Sequence, residues 1–111
     1  MDIFFRDKRL QDACNESRRL NRRYGADMAK VIRRRRDDLR AARTLEDLRN
    51  LPGRCHELGG DRAGQLSIDL RGPYRLLFAP AHDPAPTKTD GGLDWTQVTA
   101  VEIIDVEDTH G

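Results

Sequence analysis

A chain of 111 residues, 37% apolar and 35% charged, has material for one domain with a small core and an ionic surface. No stretch approaches the about 20 apolar residues that cross a bilayer, and "MDIFFRDKRL" returns to charge after a short apolar run, so neither a membrane span nor a secretory signal is expected. The net charge of +1 hides a division: Met1 to Cys55 carries 16 Lys and Arg against 9 Asp and Glu, whereas His56 to Gly111 carries 4 against 10.

Ile3 to Phe5 is a short β-prone run. Asp7 is placed to cap a helix in which Leu10, Ala13, Cys14, Ser17, Leu20 and Tyr24 recur at three- and four-residue spacing, with Gly25 where it should stop. A second helix, about Ala26 to Ala42, puts Met28, Ile32, Leu39 and Ala42 on one stripe and most of "RRRRDD", Arg33 to Asp38, on the other face. Arg35 falls near the apolar stripe and must snorkel or find a partner. "TLED", Thr44 to Asp47, resembles a capping box opening a short third helix with Leu45, Leu48 and Leu51, which Pro52-Gly53 ends.

Beyond Pro52 the period falls from 3.6 to 2. Leu66, Ile68 and Leu70 alternate with Gln65, Ser67 and Asp69, "RGP" at Arg71 to Pro73 makes a turn, and Tyr74 to Ala79 is the returning strand. Pro80 to Trp95 is rich in Pro, Gly and Asp and is expected to be a flexible loop. Val98 to Val106, rich in Val and Ile, is expected to be the central or best-buried strand. The order predicts a single α+β domain over 1–111: an N-terminal strand and helical hairpin packed on one face of an antiparallel sheet, leaving the other face to carry chemistry.

All but 3 of the 20 basic residues are arginine, the cation that binds phosphate with two parallel hydrogen bonds, so the basic half points toward a polyanion or a solvated helix face. Cys14 and Cys55 are too far apart for a CxxC motif and, with three scattered histidines, form no metal-ligand spacing. Both are expected to be reduced structural thiols of a cytoplasmic protein.

The densest polar chemistry lies in "LPGRCHELGGDRAGQLSIDLRGPYRLLF", Leu51 to Phe78. His56, Leu58, Gly60, Asp61, Arg62, Gly64, Gln65, Ser67 and Ile68 stand in register with an "H-x-L-K-G-D-R-x-G-Q-x-S-I" stretch, and Tyr74, Arg75 and Phe78 with a following "W-R-I-x-F". On these residues and the element order the chain resembles the plasmid-maintenance killer proteins, the HigB branch of the RelE/ParE toxin superfamily.

The resemblance implies a type II toxin–antitoxin toxin that enters the ribosomal A site and cuts mRNA without metal or organic cofactor. A helix-turn-helix antitoxin of HigA type would hold it inactive, and operator DNA would be reached through that complex. His56 would serve as acid or base, Arg75 would stabilise the pentacoordinate phosphate, and Asp105 would orient a histidine or act as base; Glu107, at a position where the family has His, would offer general-base chemistry by its own carboxylate. Arg54, Arg62, Gln65, Ser67 and Tyr74 would bind the substrate.

This chain departs from the family pattern at Gly59, where the family has Lys, and at its end, where "D-Y-H" reads Asp105, Val106, Glu107. A cation, a stacking aromatic and a second histidine are lost, and His110 is the nearest replacement. Simpler roles stand beside these: Arg62 pairing with Asp61, Arg75 with Asp69 across strands, and the arginine run laced by Arg33–Asp37 and Arg34–Asp38 pairs. A weakened RelE-fold binding protein, acting through antitoxin, operator DNA or ribosome contacts, therefore stays open as an alternative. A ParE-like gyrase inhibitor would share the fold but not the histidine stretch.

Overall fold

The computed structural model describes residues 1–108, so His110 lies outside the described residues. Strand β1 (Asp2–Phe5) leads into α1 (Lys8–Asn15), where the Asp7 carboxylate accepts from the Arg9 N–H at 2.8 Å as the cap position predicts. The single helix expected up to Gly25 is two: Glu16 is extended (φ −135, ψ 112), and α2 runs Ser17–Tyr24. Asn15 and Ser17 are weak helix formers, and the carbonyl of Cys14, freed by the break, accepts from the Arg36 guanidinium. The apolar spacing survives, because Leu10, Ala13, Cys14 and Leu20 all enter the core.

Gly25, at φ 83, joins α2 to α3 (Ala26–Ala41). The short third helix is a 3₁₀ segment, Leu45–Asn50, and not a capping box: the Asp47 carboxylate accepts from the Arg43 N–H at 2.9 Å, while Thr44 makes no side-chain cap. Leu45 and Leu48 are buried from it, and the Leu45 N–H donates to the Val98 carbonyl at 3.0 Å.

The sheet contains β1, β2 (His56–Glu57), β3 (Leu66–Asp69), β4 (Tyr74–Pro80) and β5 (Ala100–Asp108), in the spatial order β1-β5-β4-β3-β2. It is antiparallel from β5 through β2, as expected, but β1 pairs with β5 in parallel. The middle place goes to β4, not to the last strand, although Val101 and Ile103 of β5 are fully buried. A bulge between Leu77 and Phe78 lets β5 change register: Leu77 faces Asp105 and Phe78 faces Ile103, leaving Ile104 as the extra residue.

Leu66, Ile68, Leu76 and Phe78 point to the helices and close the core with Leu20, Ile32 and Leu39. The 80–95 segment carries its own ties, Lys88 N–H to Gly92 O at 2.7 Å and Asp94 N–H to Pro86 O at 2.9 Å. It ends on Trp95, which is buried; its indole N–H donates to Glu57 at 3.1 Å and its ring lies 3.9 Å below the Arg49 guanidinium. Among the described residues no helix is long and apolar enough to cross a membrane.

Candidate functional site

Side chains alternate across a strand, so the residues between the core leucines of β3 and β4 face away from the helices. Two rows follow from the register. His56 stands opposite Ser67, Ser67 opposite Leu77, and Leu77 opposite Asp105; one step along, Asp69 faces Arg75 and Arg75 faces Glu107. This is the face that the sequence left free for chemistry.

His56 is on an edge strand and is exposed. Its Nδ1 lies 2.7 Å from the Arg54 carbonyl. A carbonyl only accepts, so Nδ1 carries the proton, and Nε2 is left for chemistry as an acceptor when the ring is neutral or a donor when it is charged. Arg54 has φ 48, the one positive φ of a non-glycine among the described residues. Its Nε donates to Asp69 Oδ2 at 2.6 Å.

That bond displaces the cross-strand pair expected for Arg75. Asp69 is opposite Arg75 in register, yet its carboxylate goes to Arg54, and Arg75 Nε is buried without a hydrogen-bond partner. Arg62 likewise leaves Asp61 and pairs with Glu107 at 2.5 Å. Since Arg62 lies on the β2–β3 connection and Glu107 on β5, this ion pair crosses the free face above β3 and β4. Ser67 and Leu77 are 0% and 1% exposed although they point away from the helices.

Arg54, His56, Asp69, Tyr74 and Arg75 line one cleft of about 360 Å³ at the β3–β4 turn. Ser67 is buried with its hydroxyl unpartnered, and Gln65, its Oε1 also unpartnered, lines a different cavity of about 230 Å³ beside Glu57 and Leu93. Asp105 stands apart from His56. Three strand spacings separate them, about 14 Å between backbones, so it does not orient that ring; its Oδ1 accepts from the Val106 N–H at 2.8 Å beside the bulge. Its charge acts instead on Tyr24, whose phenol is pushed up mainly by burial, with Arg23 opposing and Asp105 adding.

Two residues here were not singled out from the sequence. Asp69 was read only as a partner for Arg75, and Gly53 only as a helix stop. Gly53 has φ 109, and a Cβ on it would lie 2.5 Å from Ile68 Cγ2 and 3.0 Å from Arg35 Nε. Its bareness lets Arg35 cross from α3 to donate to the Asp69 carbonyl at 3.2 Å, which is the partner that Arg35 needed. The "RRRRDD" run pairs otherwise than expected: Arg35 reaches Asp38 at 3.5 Å, Arg36 reaches Asp37 at 3.3 Å, and Arg33 donates to Asn21 at 3.1 Å.

Burial pushes the Cys55 thiol up to about 12 against the pull of Arg49, and raises Cys14 against Arg36 and Arg23. Thiols so held are protonated at neutral pH and poor nucleophiles. Among the described residues no group of three or more His, Cys, Asp or Glu side chains is placed to hold a metal ion.

No protein family and no curated protein matches the chain. Solved structures do. A YoeB/ParE toxin from Agrobacterium tumefaciens superposes with a TM-score of 0.58 at 16% identity, covering 97% of this chain and 98% of its own. A YoeB-YefM complex from Staphylococcus aureus gives 0.57 at 12%, covering 96% and 94%. At these identities the likeness is one of fold: the helices on one face of a five-stranded sheet are the architecture of the YoeB/ParE toxin structures.

Proposed function

We propose that this chain is the toxin of a type II toxin–antitoxin pair, of HigB type, and acts in the cytoplasm as a metal-independent endoribonuclease on ribosome-bound mRNA. A helix-turn-helix antitoxin of HigA type is its inhibitor, and operator DNA is reached through their complex. The observation that carries this reading is the single cleft in which Arg54, His56, Tyr74 and Arg75 meet, with the His56 ring oriented by the Arg54 carbonyl. That a structure of the same fold is a YoeB-YefM complex supports a protein partner.

In the proposed reaction the 2′-oxygen loses its proton and bonds to phosphorus as the bond to the 5′-oxygen breaks, giving a 2′,3′-cyclic phosphate and a 5′-hydroxyl. Arg75, which lines the cleft, and the nitrogens of Arg54 that Asp69 does not take meet the charge that builds on the phosphate. His56, charged, presents Nε2–H to the departing 5′-oxygen. Glu107, opposite Arg75 in register, takes the 2′ proton once Arg62 turns from it to the RNA. Tyr74, 37% exposed at the rim, offers a ring on which a base can stack.

A second reading has its own support. Asp69, Asp105 and Glu107 are each already engaged, by Arg54, the Val106 N–H and Arg62, so no carboxylate of this face is a ready base. That favours a weakened binding protein of the same fold. Induced expression with primer extension on a translated message separates the two. The ribonuclease reading expects cuts that vanish when translation is blocked and that Arg75→Ala reduces by about 10²-fold or more. Cutting that persists in both Arg75→Ala and His56→Ala sinks the site assignment. Absence of growth arrest from folded protein supports the binding module, and arrest with intact messages and broken DNA supports gyrase inhibition.

A further inference from the structure

We propose that Asp69 is a positioning residue that acts through Arg54 to fix the His56 ring with Nε2 turned to the cleft; this deepens, and rests on, the ribonuclease reading. Asp69 holds the Gly53–Arg54 stretch at two points. Its backbone N–H donates to the carbonyl of Gly53, immediately before Arg54, at 2.7 Å, and its carboxylate takes the Arg54 Nε at 2.6 Å. Its own carbonyl is held from the helical layer by Arg35 Nε at 3.2 Å.

What lies in that grip is a residue in a costly conformation. A non-glycine at φ 48 persists only where its surroundings over-determine it, and such residues gather at functional sites. The consequence appears one residue pair further on: the Arg54 carbonyl is brought to 2.7 Å from His56 Nδ1. The backbone of His56 is already set by pairing with Ser67, so the Arg54 carbonyl is left to decide the ring's rotation and tautomer.

The same bond sorts the donors of Arg54. With Nε committed to Asp69, its two terminal nitrogens remain for an anion in the cleft beside Arg75. The Arg54 side chain is 84% exposed, so its ion pair contributes little to stability. Asp69 is therefore a device of geometry, and its removal should leave the fold in place.

Long-range proton–nitrogen correlation spectra of the full chain, at a pH where the ring is neutral, read the tautomer without any activity. The wild type is expected to show His56 protonated at Nδ1. Asp69→Ala should move it toward the mixed population of a free imidazole, Asp69→Glu should restore it in part, and Arg54→Ala should match Asp69→Ala with no further change in the double variant. In the cleavage assay Asp69→Ala is expected to lower kcat roughly tenfold to a hundredfold.

An Asp69→Ala protein with native amide shifts and an unchanged His56 tautomer overturns the proposal. If that variant does not fold, Arg54→Ala decides, since an unchanged ring there overturns it equally. Shifted tautomers in a protein that cuts no RNA even as wild type refute the ribonuclease reading and leave the positioning role standing.

Discussion

On β3, Leu66 and Ile68 are fully buried among Leu20, Ile32 and Leu39, and Ser67 between them is just as buried on the opposite face. The leucine and isoleucine bury carbon against carbon, which stabilises the fold by about 25 cal/mol per Å². The serine buries a hydroxyl with no partner, as Arg75 buries its Nε, and each such atom costs free energy. Equal burial thus has opposite signs on the two faces of one strand. The helix-facing side holds the fold together, and the other side keeps polar atoms dry and unpaired at a cost in stability.

That contrast can be broken from either side. The largest effect is expected at Phe78→Ala, which empties a fully buried site on the middle strand and should cost about 3–5 kcal/mol in denaturant unfolding. Gly53→Ala is next. Its methyl would meet Ile68 at 2.5 Å with φ at 109, so about 1–3 kcal/mol should be lost and the Arg35–Asp69 contact disturbed, visible as shifted Asp69 and Ile68 amides.

Ser67→Ala tests the free face directly. Because the buried hydroxyl has no partner, removing it should leave stability within about 1 kcal/mol or raise it slightly, and a loss of several kcal/mol would show that the hydroxyl holds the face through a bond.

Cys55 gives the smallest effect at neutral pH. Its thiol is raised by burial from 9.0 to about 12, so folded and unfolded chains are both protonated below 9.0 and stability there is independent of this group. As pH climbs from 9.0 toward about 12 the unfolded thiol ionises first, and stability should fall across that window in the wild type but not in Cys55→Ala. Reaction with iodoacetamide at pH 8 should be slow until denaturant is added.

Where periodicity runs long, the elements could be read from the residues. Leu66, Ile68 and Leu70 against Gln65, Ser67 and Asp69 gave β3 and the sense of its two faces, and the 3.6 spacing of Met28, Ile32 and Leu39 gave α3. Signals one or two residues long did not suffice. The break at Glu16 hangs on weak helix formers and a carbonyl that Arg36, far along the chain, completes. Strand β2 has two residues, too few to show a period, so nothing local marks His56 as a strand residue before Ser67 is set beside it. The parallel pairing of β1 with β5 joins the two ends of the chain, and no local pattern specifies it.

The site divides in the same way. His56, Arg54, Tyr74 and Arg75 are legible as residue types near one turn, and the cleft gathers them because β2 and β4 pair antiparallel with β3 from its two sides. The partners of the charges were another matter: Asp69 went to Arg54, Arg62 to Glu107, and Arg35 crossed from a helix to reach Asp69.

Which side chains are apolar, and at what period, already tells which face of each long element turns inward, because burial is a property each residue carries with it. Which charge meets which is legible only in three dimensions. Arginine and the carboxylates are long and rotatable, strand order sets their neighbours, and several opposite charges compete for each one, so the choice among them is made by the assembled fold.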